Sequence, residues 1–262
     1  MGITALVDCS PPPFPKVARL TIISVRDCLL SDPKVSTLTT LPIKVLGAVR
    51  HFTSEEGVEP RSLDPLLFMG LQPKTSNFFW YSVQEVFPES DGKQSFDALV
   101  LISWPFKDPE KDEIPEGNAL RVANMKARAK DFHDPIRRLF DGIPDDSSRI
   151  TALTLADFPP AECDGLGLVT LIGDAAHAMT MYRGEGANHG ILDAALLVDQ
   201  LVKVKNGEIK QEYGVFVYEE EMKKRCHEAV LKSRAAAVEG HTWEKIVDDS
   251  PLIGGRWPPA TA

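Results

Sequence analysis

The stretch that most restricts this chain is Leu171 to Ala195, LIGDAAHAMTMYRGEGANHGILDAA. It begins inside a short apolar run, Leu168 to Ile172 (LVTLI), which reads as a buried strand. The run stops at Gly173-Asp174, so the Asp174 carboxylate is expected at a strand's C-terminal end, where ligand sites of α/β folds lie. A carboxylate there can accept hydrogen bonds from a sugar or polyol hydroxyl. Further on, Gly184-Glu185-Gly186 lets the backbone approach a ligand closely, and a helix is expected to begin there. Its first turn would present unpaired N–H groups and a partial positive charge, suited to an anionic or electron-rich ligand edge. A polyol acceptor followed by an anion-stabilising helix end describes a site for a nucleotide-like cofactor.

Around this segment the patterning alternates between two periods. Pro42–Phe52, Phe78–Phe87 and Phe96–Trp104 are rich in β-branched and aromatic residues and read as strands. Pro88 to Gly92 lies between the last two, and its Asp91-Gly92 favours a hairpin turn. Val122, Met125, Ala129, Phe132, Ile136 and Phe140 recur at steps of three and four, which predicts a helix over about 118–140, broken or kinked at Pro135. Ile150–Leu155 is a further strand, and in residues 1–35 only Leu20–Val25 is strand-like. A helix over about 185–205 is expected to turn Ile191, Ala194, Ala195, Val198, Leu201 and Val202 to one side, and to end at Asn206-Gly207. A charged helix over about 212–239 and a Pro/Gly-rich tail from Pro251 complete the reading. The fold class is α+β: an antiparallel sheet, then a strand–loop–helix unit and C-terminal helices. The division expected is an irregular segment 1–35, a sheet domain 36–115, a domain 116–240 carrying the Gly173-Asp174 motif, and a tail 241–262.

Composition narrows the classes. Of 262 residues 43% are hydrophobic, enough for a core, and no apolar run approaches the ~20 residues that a membrane-spanning helix needs. The formal charge is −9, with no basic block, which argues against a nucleic-acid partner. The opening residues have no basic n-region and break at Pro11-Pro12-Pro13, unlike a signal peptide. Cys9, Cys28, Cys163 and Cys226 are scattered, without a CxxC pair, so a reducing cytoplasmic setting is the default and no disulfide framework is indicated. His177 and His189 do not have metal-ligand spacing, so no metal site is expected.

The residues Gly173-Asp174-Ala175-Ala176-His177, Gly184-Glu185-Gly186-Ala187-Asn188 and Asp193-Ala194 resemble the second FAD fingerprint of the class A flavin monooxygenases. These are the aromatic hydroxylases and epoxidases related to p-hydroxybenzoate hydroxylase, and the spelling MTMYRGEGANHGI is most similar to fungal members. The resemblance implies that Asp174, with Gly173, binds the ribityl chain of FAD. It implies that Gly184, Gly186, Ala187 and Asn188 face the pyrimidine edge of the flavin. It also implies NAD(P)H as reductant, O2 as co-substrate, and an aromatic or polyketide/terpenoid-like small molecule as the substrate hydroxylated or epoxidised. The sheet over Pro42–Trp104 is similar to the family's substrate-binding sheet. Met181 stands where many relatives carry Pro.

The family's opening strand–GxGxxG–helix unit and its middle Asp-Gly motif have no match here. Gly165-Leu166-Gly167 precedes a strand, and Asp91-Gly92, Asp141-Gly142 and Asp164-Gly165 read as turn or loop positions. The chain therefore resembles the C-terminal portion of such an enzyme. The alternative is a catalytically inactive flavoprotein remnant that acts at most as a binding or regulatory protein, with apolar surface exposed. No residue is assigned as catalytic. His177 is expected to pack and hydrogen-bond, and Arg183 either to line the site's mouth or to be solvated. Trp80, Tyr81 and Trp104 could face a planar substrate or belong to the core. The Glu219–Glu221 and Lys223–Arg225 runs read as a solvated helix face.

Overall fold

The computed structural model describes residues 21–22, 38–89, 92–161 and 169–254. In chain order these form β1 (Thr21–Ile22), β2 (Thr39–Phe52), α1 (Val58–Leu63), β3 (Leu67–Gln72), β4 (Asn77–Pro88), β5 (Gln94–Pro105), α2 (Pro109–Asp112), α3 (Asn118–Ala129) and α4 (Asp134–Asp141). Then come β6 (Ile150–Asp157), β7 (Val169–Thr170), α5 (Asp174–His177), a 3-10 turn (Met181–Arg183), α6 (Gly186–Lys205), α7 (Gln211–Glu239) and a second 3-10 turn (Trp243–Lys245). The α+β class is observed. The chain divides into two compact units, one of Leu41–Leu155 with Val238–Asp248, the other built on Ala156–Ala237 and Asp249 onward.

The first unit is a five-stranded sheet in the order β3-β4-β5-β2-β6. β2 pairs antiparallel with β5 from Ile43↔Pro105 to Phe52↔Phe96, and β4 pairs antiparallel with β5 and β3. Alternate residues of the central strands, among them Leu46, Ala48, Phe52, Ala98, Val100, Ile102 and Trp104, project to one face. Val122, Met125 and Ala129 of α3 and Leu139 and Phe140 of α4 cover that face, so the period-2 and period-3.6 patterns meet in one core. The 118–140 helix is in fact two. α3 ends at Ala129, His133 is extended (φ −60°, ψ 151°), and Pro135 sits in the first turn of α4, where its missing N–H costs nothing. Tyr81 and Trp104 are core residues: Tyr81 packs on Phe52 and Phe68, while Trp104 donates its indole N–H to the Asp112 carbonyl at 2.9 Å under the Arg128 guanidinium. Trp80 is half-buried.

Sequence patterning missed β3 and α1. In LFMGLQ a glycine interrupts the strand pattern because the Phe79 ring lies over it: a Cβ on Gly70 would come within 2.6 Å of Phe79 Cε1. In the hairpin after β4, the Glu89 N–H donates to the Lys93 carbonyl at 2.9 Å and Gly92 has φ +79°; Asp91 lies outside the described residues. So do Cys9, Cys28, Cys163, Asp164-Gly165, Leu166-Gly167, all of Leu20–Val25 except β1, and Leu168.

In the second unit β1 and β7 pair in parallel, Thr21↔Val169 and Ile22↔Thr170. Leu171, Ile172, Ala176, Leu197, Tyr218, Met222 and Cys226 pack together between α5, α6 and α7. The apolar residues expected on one side of α6 do share a side, but most of it faces solvent, with Leu201 half-buried against the core cluster. Ile191, Val198 and Val202 are 72%, 55% and 49% exposed, Ala194 and Ala195 are exposed too, and the buried residues are His189, Asp193 and Leu197. The inward side instead carries His189 and Asp193, both of which face Arg225 of α7, as described below. Asn206 and Gly207 end the helix as expected, Gly207 at φ +74°. No described helix is long and apolar enough to cross a membrane.

Candidate cofactor site

β7 is only two residues long, and Asp174 opens the one-turn α5 two residues after Leu171-Ile172 leave the strand. Gly173 adopts φ +60°, ψ −143°, a conformation open to glycine and strained for a residue with Cβ. Its carbonyl accepts the N–H groups of Ala176 and His177 at 2.8 and 3.0 Å, which closes the turn. The Asp174 side chain is left exposed.

The chain then runs through Thr180, whose hydroxyl donates to the Ser233 carbonyl while the Ser233 hydroxyl donates to the Thr180 carbonyl, at 2.8 and 2.7 Å. Both residues are buried, so this reciprocal pair fixes the loop to α7. Thr180 is extended (φ −68°, ψ 158°), the backbone that a following proline would demand; Met181 enters the 3-10 turn without one. Gly184 is left-handed (φ +67°, ψ 19°) and turns the chain into α6.

Arg183 is not solvated. It is 4% exposed and makes a two-pronged pair with Glu185, 3% exposed, at 3.1 and 3.0 Å. Its remaining nitrogen donates to the carbonyls of Pro251 and Gly254. This clamp straddles Gly184 and determines where α6 starts.

α6 begins at Gly186 with no side-chain cap and no acidic residue in its first turn. The N–H groups of Gly186, Ala187 and Asn188 therefore form an uncapped, electropositive end, and Ala187 and Asn188 are exposed. A Cβ on Gly186 would lie 3.8 Å from Asp174 Oδ1. The fold thus brings Asp174 beside the α6 N-terminus and keeps Gly173, Gly184, Gly186, Ala187 and Asn188 in the same loop and helix start. An exposed carboxylate next to uncapped N–H groups offers acceptors for hydroxyls and donors for an electron-rich ring edge, which are the groups that a flavin with its ribityl chain presents.

Beneath this surface lies a polar cluster that sequence reasoning did not assemble. Asp193 Oδ2 accepts from the Gly173 N–H at 2.8 Å and from His177 Nε2 at 2.6 Å, and Oδ1 accepts from Arg225 at 2.7 Å. Burial pushes the Asp193 carboxyl up, but hydrogen bonds from His177, Arg225 and Gly173 outweigh it and hold the group below the usual carboxylate range. Arg225 also grips Glu221 at 2.9 and 3.0 Å, faces His189 Nδ1 at 2.8 Å and donates to Cys226 Sγ at 3.0 Å. Burial and the Arg225 charge lower the His189 pKa, and burial pushes the Cys226 thiol up to about 12. Ligand-type atoms of His177, Asp193 and Cys226 lie within 4.8 Å of one another, but the Arg225 guanidinium donates to two of the three. A cation would have to displace another cation, so the trio reads as a hydrogen-bonded network. The Glu221–Arg225 spacing had marked Arg225 as solvated; only the tertiary structure turns it inward.

Residues 130–233 match the FAD binding domain family. A protein of Arthroderma benhamiae named "Probable FAD-dependent monooxygenase" is 34% identical over 229 residues, 82% of this chain and 53% of its own length. The FAD-dependent monooxygenase dbaB of Emericella nidulans is 37% identical over 180 residues, 66% of this chain and 45% of its own. The chain spans about half the length of these curated relatives. The crystal structure of Klebsiella pneumoniae HpxO complexed with FAD and uric acid superposes with a TM-score of 0.60 at 15% identity, over 85% of this chain and 51% of that one, which establishes a shared fold. The chain is thus a relative of the FAD-dependent monooxygenases that it matches over 82% and 66% of its length, and its residues 130–233 belong to the FAD binding domain family.

Proposed function

We propose that this chain binds FAD through Asp174, Gly173, Gly184, Gly186, Ala187 and Asn188 and contributes to a monooxygenase reaction. The reaction would use NAD(P)H and O2 to hydroxylate or epoxidise an aromatic or polyketide/terpenoid-like small molecule. The observation that carries this reading is the exposed Asp174 carboxylate beside the uncapped start of α6. Asp174 would accept hydrogen bonds from ribityl hydroxyls. The first-turn N–H groups of α6 would favour negative charge on the ring edge facing them. The bound flavin would supply the redox and oxygen chemistry, and the protein the positioning and electrostatics.

Residues 36–115 would form the substrate-facing sheet, and the flavin-binding residues come from within 116–240. A cytoplasmic setting is consistent with scattered cysteines, of which Cys226 is a free, buried thiol. The reading as an inactive remnant draws on the apolar stripe of α6 left exposed at Ile191, Val198 and Val202. NADPH oxidation by the purified chain with added FAD separates the two. Turnover above the free-flavin background that rises with an aromatic substrate supports the enzyme. A rate equal to that background with every aromatic tested supports the remnant.

A further inference from the structure

α5 is a single turn closed by two backbone hydrogen bonds to the Gly173 carbonyl, too short to hold its own shape in water. What holds it is Asp193. One oxygen of this fully buried carboxylate binds the N–H of Gly173, the residue before α5, and the ring of His177, the last residue of α5. The two anchor points therefore bracket Asp174. Asp193 itself rises from α6, two turns beyond Gly186, and its other oxygen is fixed by Arg225 from α7. The same side chain ties both parts of the candidate cofactor site together: the turn that carries Asp174 and the helix whose N-terminus stands beside it.

We propose that Asp193, braced by Arg225, is a positioning residue for the cofactor, setting the Asp174 carboxylate relative to the α6 N-terminus through Gly173 and His177. The inference rests on the cofactor reading above and adds residues that would not touch the cofactor.

Asp193→Asn tests it, because the amide matches the carboxylate in shape but has one acceptor oxygen where donors approach from two sides. His177 can change tautomer and accept from the new NH2 group, but the Gly173 N–H cannot change role. With the amide oxygen turned to Arg225, Gly173 loses its acceptor. FAD affinity should fall at least tenfold. In the protein without FAD, amide hydrogen exchange over residues 171–178 should accelerate at least tenfold while the β2–β5 sheet exchanges as before. Arg225→Lys, which keeps the charge and loses the planar fork, should weaken FAD binding by a smaller factor and serves if Asp193→Asn does not fold. Phe140→Leu, in the other unit and matched in stability loss, should leave FAD affinity within twofold. Wild-type affinity and exchange in Asp193→Asn, in a protein where Asp174→Ala weakens binding at least tenfold, would overturn this inference alone. An equal loss of affinity in Phe140→Leu would also overturn it, since the effect would then be general destabilisation. No saturable FAD binding by the unsubstituted chain would instead overturn the cofactor reading on which the inference rests.

Discussion

At the scale of residues, Asp193 shows how a charge persists in full burial. Three donors reach its two oxygens, and together they outweigh the desolvation that would otherwise protonate it. Its folded pKa lies below that of the unfolded chain, so its contribution is fully present above the unfolded value of about 4 and is lost as pH falls through the folded value. Acid denaturation between pH 5 and pH 2 should therefore be steeper in the wild type than in Asp193→Asn, as urea midpoints at each pH would report. His177, Arg225 and, through Arg225, Glu221 share that field, so parallel curves would mean the charge resides elsewhere. Truncating Arg225 to Ala leaves Asp193 uncompensated and should cost on the order of 3 kcal/mol. Gly184 offers a separate test. It is left-handed with open space where a Cβ would go, so Gly184→Ala should lose about 1 kcal/mol from backbone strain, and Gly184→Asn less, by denaturant titration.

Among the elements, local chemistry made some legible and hid others. β2, β4 and β5 announce themselves by β-branched and aromatic runs, and Pro135 announces the break between α3 and α4. β3 was hidden because Gly70 serves the Phe79 ring, a tertiary reason that no local pattern carries. α6 was found with its bounds and its apolar side, but the exposure of that side was not legible, because periodicity counts apolar residues and this helix buries His189 and Asp193 beside Leu197. The candidate site was legible in its surface residues, which lie in one short segment. Its support was not, since Arg225, Ser233 and Pro251 come from distant positions. The orientation of α6 has a direct consequence. Val198→Glu on its exposed stripe should change folding stability by no more than about 0.5 kcal/mol and reduce self-association in gel filtration. Leu197→Ala, one residue away and buried, should cost about 2–4 kcal/mol in urea titration.

Over the whole molecule, the chain folds into two units, each with its own core, and spans about half the length of the curated relatives it matches. The sheet unit rests on apolar packing that composition and period foretold. The unit with α5, α6 and α7 also contains polar pairs with buried carboxylates, Arg183 with Glu185, Arg234 with Asp157 and Arg225 with Asp193, and the first and last of these brace the loop from Gly173 to Asn188. The most direct test is equilibrium titration of the purified chain with FAD, followed by flavin fluorescence, for the wild type and for Asp174→Ala. The account predicts saturable binding by the wild type and at least tenfold weaker binding by the variant, with folding stability preserved because Asp174 is exposed. Equal affinities, or no saturable binding by the wild type, would contradict it.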